Sequence, residues 1–302
     1  MPEGPEVTII TQYLDQTIKN AEIIEFNVLS GRYTHQELVG YRDIKFPAKI
    51  TKIDSKGKFM WFELALTGTN KTAYLMNTLG LTGEWNFEQS EQNRIHIKLQ
   101  KNGNDINLFY DDPRNFGTLA ITTDKKKLDK KLNKLAPDIL KSQMSDENVA
   151  LLITNFINLP HNKKKNINIV NVLMNDQSAI VSGIGNYLVA EILYDAKISP
   201  FRDISDLSEK EILILAHSMR KIVKSAYYDN TTGYMKKIEN FVKKHKEGII
   251  NGIFPNYHPD IGISGKFKFR VYKRNADFIG NFVQTDQVIK GRTIYWVPNV
   301  QK

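Results

Sequence analysis

Over roughly residues 20–122 the chain is built from short strand-forming runs, and from Ser145 to about Lys246 from helix-forming ones. Runs of strands followed by runs of helices imply an α+β protein. The strand-like runs are AEIIEFNV, FMWFELAL, TAYLMNTLGL, RIHIKLQ, INLFY and TLAI, separated by the turn signals SKGK, LTGT, KNGN and DDPRNFG. Their spacing predicts a β-sandwich or barrel. Ahead of them Val7, Ile10, Leu14 and Ile18 fall at helical spacing after Pro5, a residue that a first helical turn tolerates. The helical runs are DENVALLITNFI, NVLMNDQSAIV, NYLVAEILYDA, EKEILILAHSMRKIVKSAYY and YMKKIENFVKK, and strand-like alternation returns in KFKFRVYKR and TIYWVP. A basic segment, DKKKLDKKLNKLAPDIL, is broken at Pro137 between the two regions. The reading is two domains without an internal repeat: a β-sandwich flanked by helices over 1–135, a hinge over 136–147, a helical domain over 148–265 and a terminal hairpin segment over 266–302.

The chain has 302 residues, a net charge of +9 and no cysteine. Disulfides and cysteine-ligated zinc are therefore excluded. Its six histidines (His35, His96, His161, His217, His245 and His258) never pair at i, i+4, so no metal and no cofactor is expected. No apolar run reaches the roughly 18 residues that span a bilayer, and no signal-like segment precedes the first helix. A soluble, intracellular monomer is expected, in nucleus or cytoplasm and away from membranes. Lysines cluster at 125–131, at 163–165 and at 236–246, and basic residues alternate with aromatic ones from Lys266 to Arg292. That balance favours a polyanionic partner such as nucleic acid, although an ordinary lysine-rich surface has the same composition.

The N-terminus MPEGPEV carries chemistry of its own. A compact residue at position 2 predicts removal of the initiator methionine, which leaves Pro2 with a secondary α-amine. Such an amine has a pKa near 8, against about 10.4 for lysine, so about a tenth of it is a free nucleophile near neutrality. Attack on an aldehyde-level carbon gives an iminium, an electron sink. Glu3 follows at the start of a helix, where the dipole stabilises a carboxylate within reach of proton transfers. Glu6 stands one turn further on, able to bond the backbone of that turn. Acidic first-turn residues are common, so neither glutamate is diagnostic by itself.

Two further stretches stand out. In SKGKFMWFEL, Lys58 sits at a strand mouth, where a neighbouring cation would lower its pKa for acid–base work. In NDQSAIVSGIGNYLVAEILYDAKISPFR a helical pattern breaks at SGIGN and resumes at Tyr187. Two glycines between helices allow outward-pointing N–H groups, and the helix that starts there offers its positive end to a phosphate, with Asn186 as an added donor.

In this order, MPEGPEV, SKGKFMWFEL, TLGLTG, DDPRNFG, LAPDIL, NDQSAIVSGIGNYLVAEILYDAKISPF and GRTIYW resemble the formamidopyrimidine-DNA glycosylase and endonuclease VIII family over essentially the whole chain. The resemblance implies a bifunctional base-excision repair enzyme that flips an oxidised base out of DNA. Pro2 would attack the anomeric carbon and expel the base. Glu3 would assist ring opening, and β- and δ-elimination would follow. Lys58 matches the family lysine that contacts phosphate and helps elimination. Leu81, Arg114 and Phe116 stand at the void-filling positions, where an apolar wedge, a guanidinium and a ring can occupy the emptied stack. Asn186 matches the phosphate-gripping asparagine of the helix-two-turns-helix motif.

Bacterial members end in a four-cysteine zinc finger, which this chain cannot build. The hairpin pattern nevertheless persists, with Arg292 at the position of the phosphate-binding arginine and Phe278, Phe282 and Trp296 in the ligand region. This resembles the zincless finger of endonuclease VIII-like proteins, in which packing replaces the metal. It favours oxidised pyrimidines and ring-opened or hydantoin purines as lesions, in duplex or single-stranded DNA. Thr78 replaces a histidine common in bacterial relatives, which affects one phosphate contact. The stretch GIINGIFPNYHPDIGISGKF, with Tyr257 and His258, is either a lid over the flipped base or a surface loop. The competing reading is a non-catalytic nucleic-acid-binding protein that uses the same clamp.

Overall fold

The computed structural model describes residues 2–141, 143–162, 165–177, 180–254 and 266–302. Lys163, Lys164, Tyr257 and His258 lie outside the described residues. The chain divides into two compact units, one containing Pro2, Glu6–Lys134 and Tyr234–Phe241, the other Glu3–Pro5, Leu135–Gly233 and Val242–Lys302.

The first unit is a helix and a folded sheet. Helix α1 (Gly4–Ile18) buries Val7, Ile10, Leu14 and Ile18, as their spacing predicts. Eight antiparallel strands follow: β1 (Glu22–Val28), β2 (Ala48–Lys56), β3 (Phe59–Leu66), β4 (Thr72–Thr78), β5 (Glu84–Asn86), β6 (Asn93–Lys101), β7 (Asn104–Asp111) and β8 (Thr118–Thr122). Their order is β5-β7-β6-β1-β2-β3-β4-β8. The junction between β1 and β2 holds only two residue pairs, so the sheet breaks into halves of four strands. Trp85 of β5 ties the halves face to face: its ring meets Phe62 of β3 at 5.3 Å and its Nε1–H donates to Asn77 Oδ1 of β4 at 2.9 Å. The architecture is the expected sandwich.

Two strands are additions to the sequence reading. In β2 the isoleucines at 50 and 53 are three apart, which hides a period of two. A bulge between Ile50 and Lys52 absorbs the extra residue, and both isoleucines are buried. Strand β5 has only three residues and no readable period. Helix α2 (Lys125–Lys134) closes the run, with Lys56 Nζ donating to Leu132 O at 2.9 Å.

The second unit contains α3 (Asp146–Asn158), α4 (Ile169–Leu173), α5 (Asn186–Ala196), α6 (Glu209–Tyr228), α7 (Glu239–Ile250) and a hairpin of β9 (Gln284–Ile289) and β10 (Arg292–Trp296). The helix predicted over NVLMNDQSAIV is only the five residues of α4. Asn175 Oδ1 takes the N–H of Gln177 and Asp176 Oδ1 that of Gly183, so side chains replace the helical acceptors. The alternation in KFKFRVYKR does not produce a strand either. The N–H groups of Arg270, Val271 and Tyr272 all donate to Glu191 Oε1 of α5, at 2.9, 3.0 and 3.0 Å.

The terminal hairpin departs from the expected packing. Phe278 and Phe282 are 63% and 67% exposed, while Val283, Ile294 and Val297 are buried. The reason is Asp277: its Oδ1 accepts from Ile279 N–H at 3.0 Å and Asn281 N–H at 2.8 Å, a tight turn that puts both phenylalanines outside. Trp296 is half-buried and donates Nε1–H to Asp286 at 2.7 Å.

Candidate active site and nucleic-acid interface

Strand register gathers most of the candidate residues of the first unit at one end of the sheet. Phe59, next to Lys58, pairs with Thr78, and Thr78 also pairs with Thr118. Lys58 therefore leaves β3 at the same edge as the loop 79–83 after β4 and the loop 112–117 before β8. Leu81 stands in the first loop, Arg114 and Phe116 in the second.

Gly80 lets those loops touch, and Gly83 and Gly117 make room for Tyr110 of β7 beneath them. A Cβ on Gly80 would lie 2.6 Å from the Phe116 carbonyl carbon; one on Gly83 or Gly117 would strike the Tyr110 hydroxyl at 2.6 or 1.9 Å. Asp112 holds the second loop, its Oδ2 accepting Gly117 N–H at 2.7 Å, and Thr82 reaches across to its Oδ1 at 3.2 Å. The Arg114 guanidinium lies over the Phe116 ring, 4.9 Å from its centroid, and that ring is 53% exposed. An exposed ring carrying a cation is a ready stacking surface for a base.

Pro2 is half-buried and lines a cavity of about 220 Å³ together with Ile10, Leu81, Glu84 and Tyr234. Pro2 and Leu81 are thus brought together. Glu84 and Tyr234 were missed by the sequence reading. Tyr234 arrives on a segment anchored to the sheet by Lys237 Nζ on Asp111 at 2.7 Å and to α1 by the Phe241 ring, 5.1 Å from that of Tyr13.

In the second unit Glu3 is 1% exposed. Its Oε2 accepts from Gly185 N–H at 2.7 Å and Leu188 N–H at 3.2 Å, and its Oε1 from Tyr187 N–H at 2.8 Å. This corrects one expectation. The amides of SGIGN and the following turn do form an anion site at a helix N-terminus, but for these three the anion is the protein's own carboxylate. Glycine at 185 makes room for this carboxylate, since a Cβ there would lie 2.5 Å from Glu3 Cδ. Glu6 is fully buried. Asn186, half-buried, donates Nδ2–H to Thr293 O at 2.9 Å, which sets it beside exposed Arg292 at the start of β10. These two are also brought together.

Among the described residues no three His, Asp or Glu side chains are arranged to hold a metal ion, and no helix is long and apolar enough to cross a membrane.

Family models of the formamidopyrimidine-DNA glycosylase N-terminal, H2TH and C-terminal domains match residues 1–119, 135–237 and 259–302. A formamidopyrimidine-DNA glycosylase of Mycoplasma genitalium is 30% identical over 263 residues, covering 81% of this chain and 85% of the relative. That of Corynebacterium diphtheriae is 29% identical over 78% and 81% of the two chains. Among solved structures, a complex of the LlFpg protein with a THF-DNA and an inhibitor is similar in fold, with TM-score 0.74 at 21% identity over the whole of both chains. The MutM (Fpg) protein of Thermus thermophilus gives 0.73 at 22% identity, over 99% of this chain and 98% of that one. The sheet-end loops, the Pro2 cavity and the carboxylate-capped helix are thus those of a chain that belongs to the formamidopyrimidine-DNA glycosylase family of base-excision-repair enzymes.

Proposed function

We propose that this protein is a bifunctional DNA glycosylase and abasic-site lyase working through a Schiff base on Pro2. The observation that carries this reading is the position of Pro2 in the wall of a cavity shared with Leu81. At about 220 Å³ the cavity is smaller than the roughly 300–1,000 Å³ of drug-sized pockets. It suits a single base or sugar. With Met1 removed, the Pro2 nitrogen bonds to C1′, the base departs, and the deoxyribose ring opens to an iminium. Glu3, an anion beside that nitrogen in sequence, takes up and returns the protons of ring opening. The iminium acidifies the 2′ position, so β-elimination and then δ-elimination release the flanking phosphates. Lys58 serves elimination and phosphate contact. Leu81, Arg114 and Phe116 fill the space left by the flipped nucleotide, and Asn186 with Arg292 grips the phosphates.

The lesion class is oxidised pyrimidines and ring-opened or hydantoin purines, in damaged duplex or single-stranded DNA. The terminal hairpin works as a zincless finger. What supports this is the Asp277 turn and the buried Val283, Ile294 and Val297, which give β9 and β10 an apolar base.

The test is borohydride reduction with DNA containing one abasic site. Protein with a free Pro2 is expected to give a covalent adduct, and an uncleaved N-terminal extension to abolish it. No adduct from the free-terminus protein, or an undiminished one from the extended protein, overturns the reading. Arg292→Ala should weaken binding evenly across lesions and lower the slope of log affinity against log salt by about 1. An unchanged slope removes Arg292 from the phosphate contacts.

A further inference from the structure

One carboxylate in the Pro2 cavity has no part in the scheme above. Glu84 of β5 stands directly opposite Asp111 of β7 in the antiparallel ladder. Two acids facing each other across a ladder repel. Asp111 is buried and well supplied with donors: Asn86 Nδ2 at 3.0 Å, Asn93 Nδ2, and Lys237 Nζ at 2.7 Å. Burial raises the Glu84 carboxyl above the ordinary range, and the charges of Asp111 and Glu88 add to the rise against the opposing Lys237. The acid on the cavity wall is thus one whose surroundings favour its protonated form.

Glu3 already serves the protons of ring opening in the scheme above, and three backbone N–H groups at the start of α5 fix its buried carboxylate there. Expelling a base requires a proton for the departing nitrogen or oxygen, and a carboxylic acid within the cavity is the group suited to supply it.

We infer that Glu84 is the general acid for base departure, handing its carboxyl proton to the base as Pro2 bonds to C1′. This rests on the Schiff-base reading given above. In the step, the lone pair of the Pro2 nitrogen forms the N–C1′ bond while the C1′–N bond to the base breaks. The electron pair leaves with the base, which takes the Glu84 proton and departs neutral. Glu84 is left as a carboxylate. The proton on the bonded nitrogen then passes through Glu3 to O4′ as the ring opens to the iminium.

The experiment compares single-turnover rates of the full-length protein on two duplexes, one carrying thymine glycol and one a preformed abasic site. Glu84→Gln removes the acid at constant volume. It is expected to slow release of thymine glycol about 100-fold, and to slow strand cleavage at the abasic site at least ten times less, since no base departs there. Wild-type base release should fall as pH rises through the Glu84 titration, and that limb should be missing in the variant. Glu84→Asp, which keeps an acid, should recover part of the rate. Equal losses on both substrates, or base release within threefold of wild type with an unaltered pH profile, overturn the assignment. A wild-type protein that gives no borohydride adduct with the abasic-site duplex overturns the Schiff-base reading itself, and Glu84 with it.

Discussion

Gly185→Ala should lower Schiff-base formation at an abasic site by at least about 100-fold, the low end of what a proton-transfer group contributes. The new methyl group would lie 2.5 Å from Glu3 Cδ, 2.6 Å from Oε1 and 2.8 Å from Cγ. No rotamer change of an alanine relieves this, because Cβ is fixed by the backbone. Glu3 has to move, and with it the carboxylate that now caps α5. Three N–H groups, of Gly185, Tyr187 and Leu188, then lose their acceptor at a buried helix start. Overpacking of this kind costs about 1–3 kcal/mol of stability. Urea unfolding and borohydride trapping together check both parts. A shortened acid provides the internal control: Glu3→Asp in the Gly185→Ala background withdraws the carboxylate by one methylene. The two changes should be non-additive in stability, as expected for groups in contact. Full trapping activity in Gly185→Ala would mean that the seat of Glu3 on α5 has no bearing on the chemistry.

How much of this was legible in advance depends on the range of the interactions. Strand β3 and helices α5 and α6 have the bounds that their patterns imply, because each carries its own hydrophobic period and end signals. Leu81 falls in the strand-like run TAYLMNTLGL although β4 ends at Thr78, and of the two loops only the turn DDPRNFG, bearing Arg114 and Phe116, was readable. That the loops abut was not, since it follows from Thr78 pairing with Phe59 on one side and Thr118 on the other. Glu84 shows the limit more sharply. Nothing in GEWNF marks it. Its reluctance to ionise comes from burial and from Asp111 on a distant strand, opposed by Lys237 on a segment further still. The residues 270–272 fail for the same reason. Their alternation is genuine, but a carboxylate about 80 residues earlier takes their N–H groups, and no local period records that.

That carboxylate carries the other large expected effect. Glu191→Ala should destabilise the helical unit by about 3–5 kcal/mol, the cost of leaving one member of a buried ion pair alone. Glu191 is fully buried in the middle of α5. Besides the three N–H groups it takes Arg270 Nε–H at 3.3 Å, while Arg270 Nη1 reaches Asp195 at 2.6 Å and Lys221 meets the same Asp195 oxygen at 2.9 Å. The two acids of α5 face two cations, and removing Glu191 leaves Arg270 with one acidic partner and three N–H donors without their acceptor. Glu191→Gln should cost less, because its amide oxygen can still accept from residues 270–272 although the NH2 group then confronts the guanidinium. Hydrogen exchange separates this from a general loss of stability: amides 270–272 should lose protection before those of α6. The rest of the chain from Val271 into β9 leans on this anchor, with Tyr194 of α5 donating to Asp277 at 3.0 Å. Under the proposed role of Arg292, DNA affinity should therefore fall in Glu191→Ala, although Glu191 is buried and cannot meet a phosphate. Unchanged protection at 270–272 in Glu191→Ala would show that packing of Val271 and Tyr272 alone holds the segment.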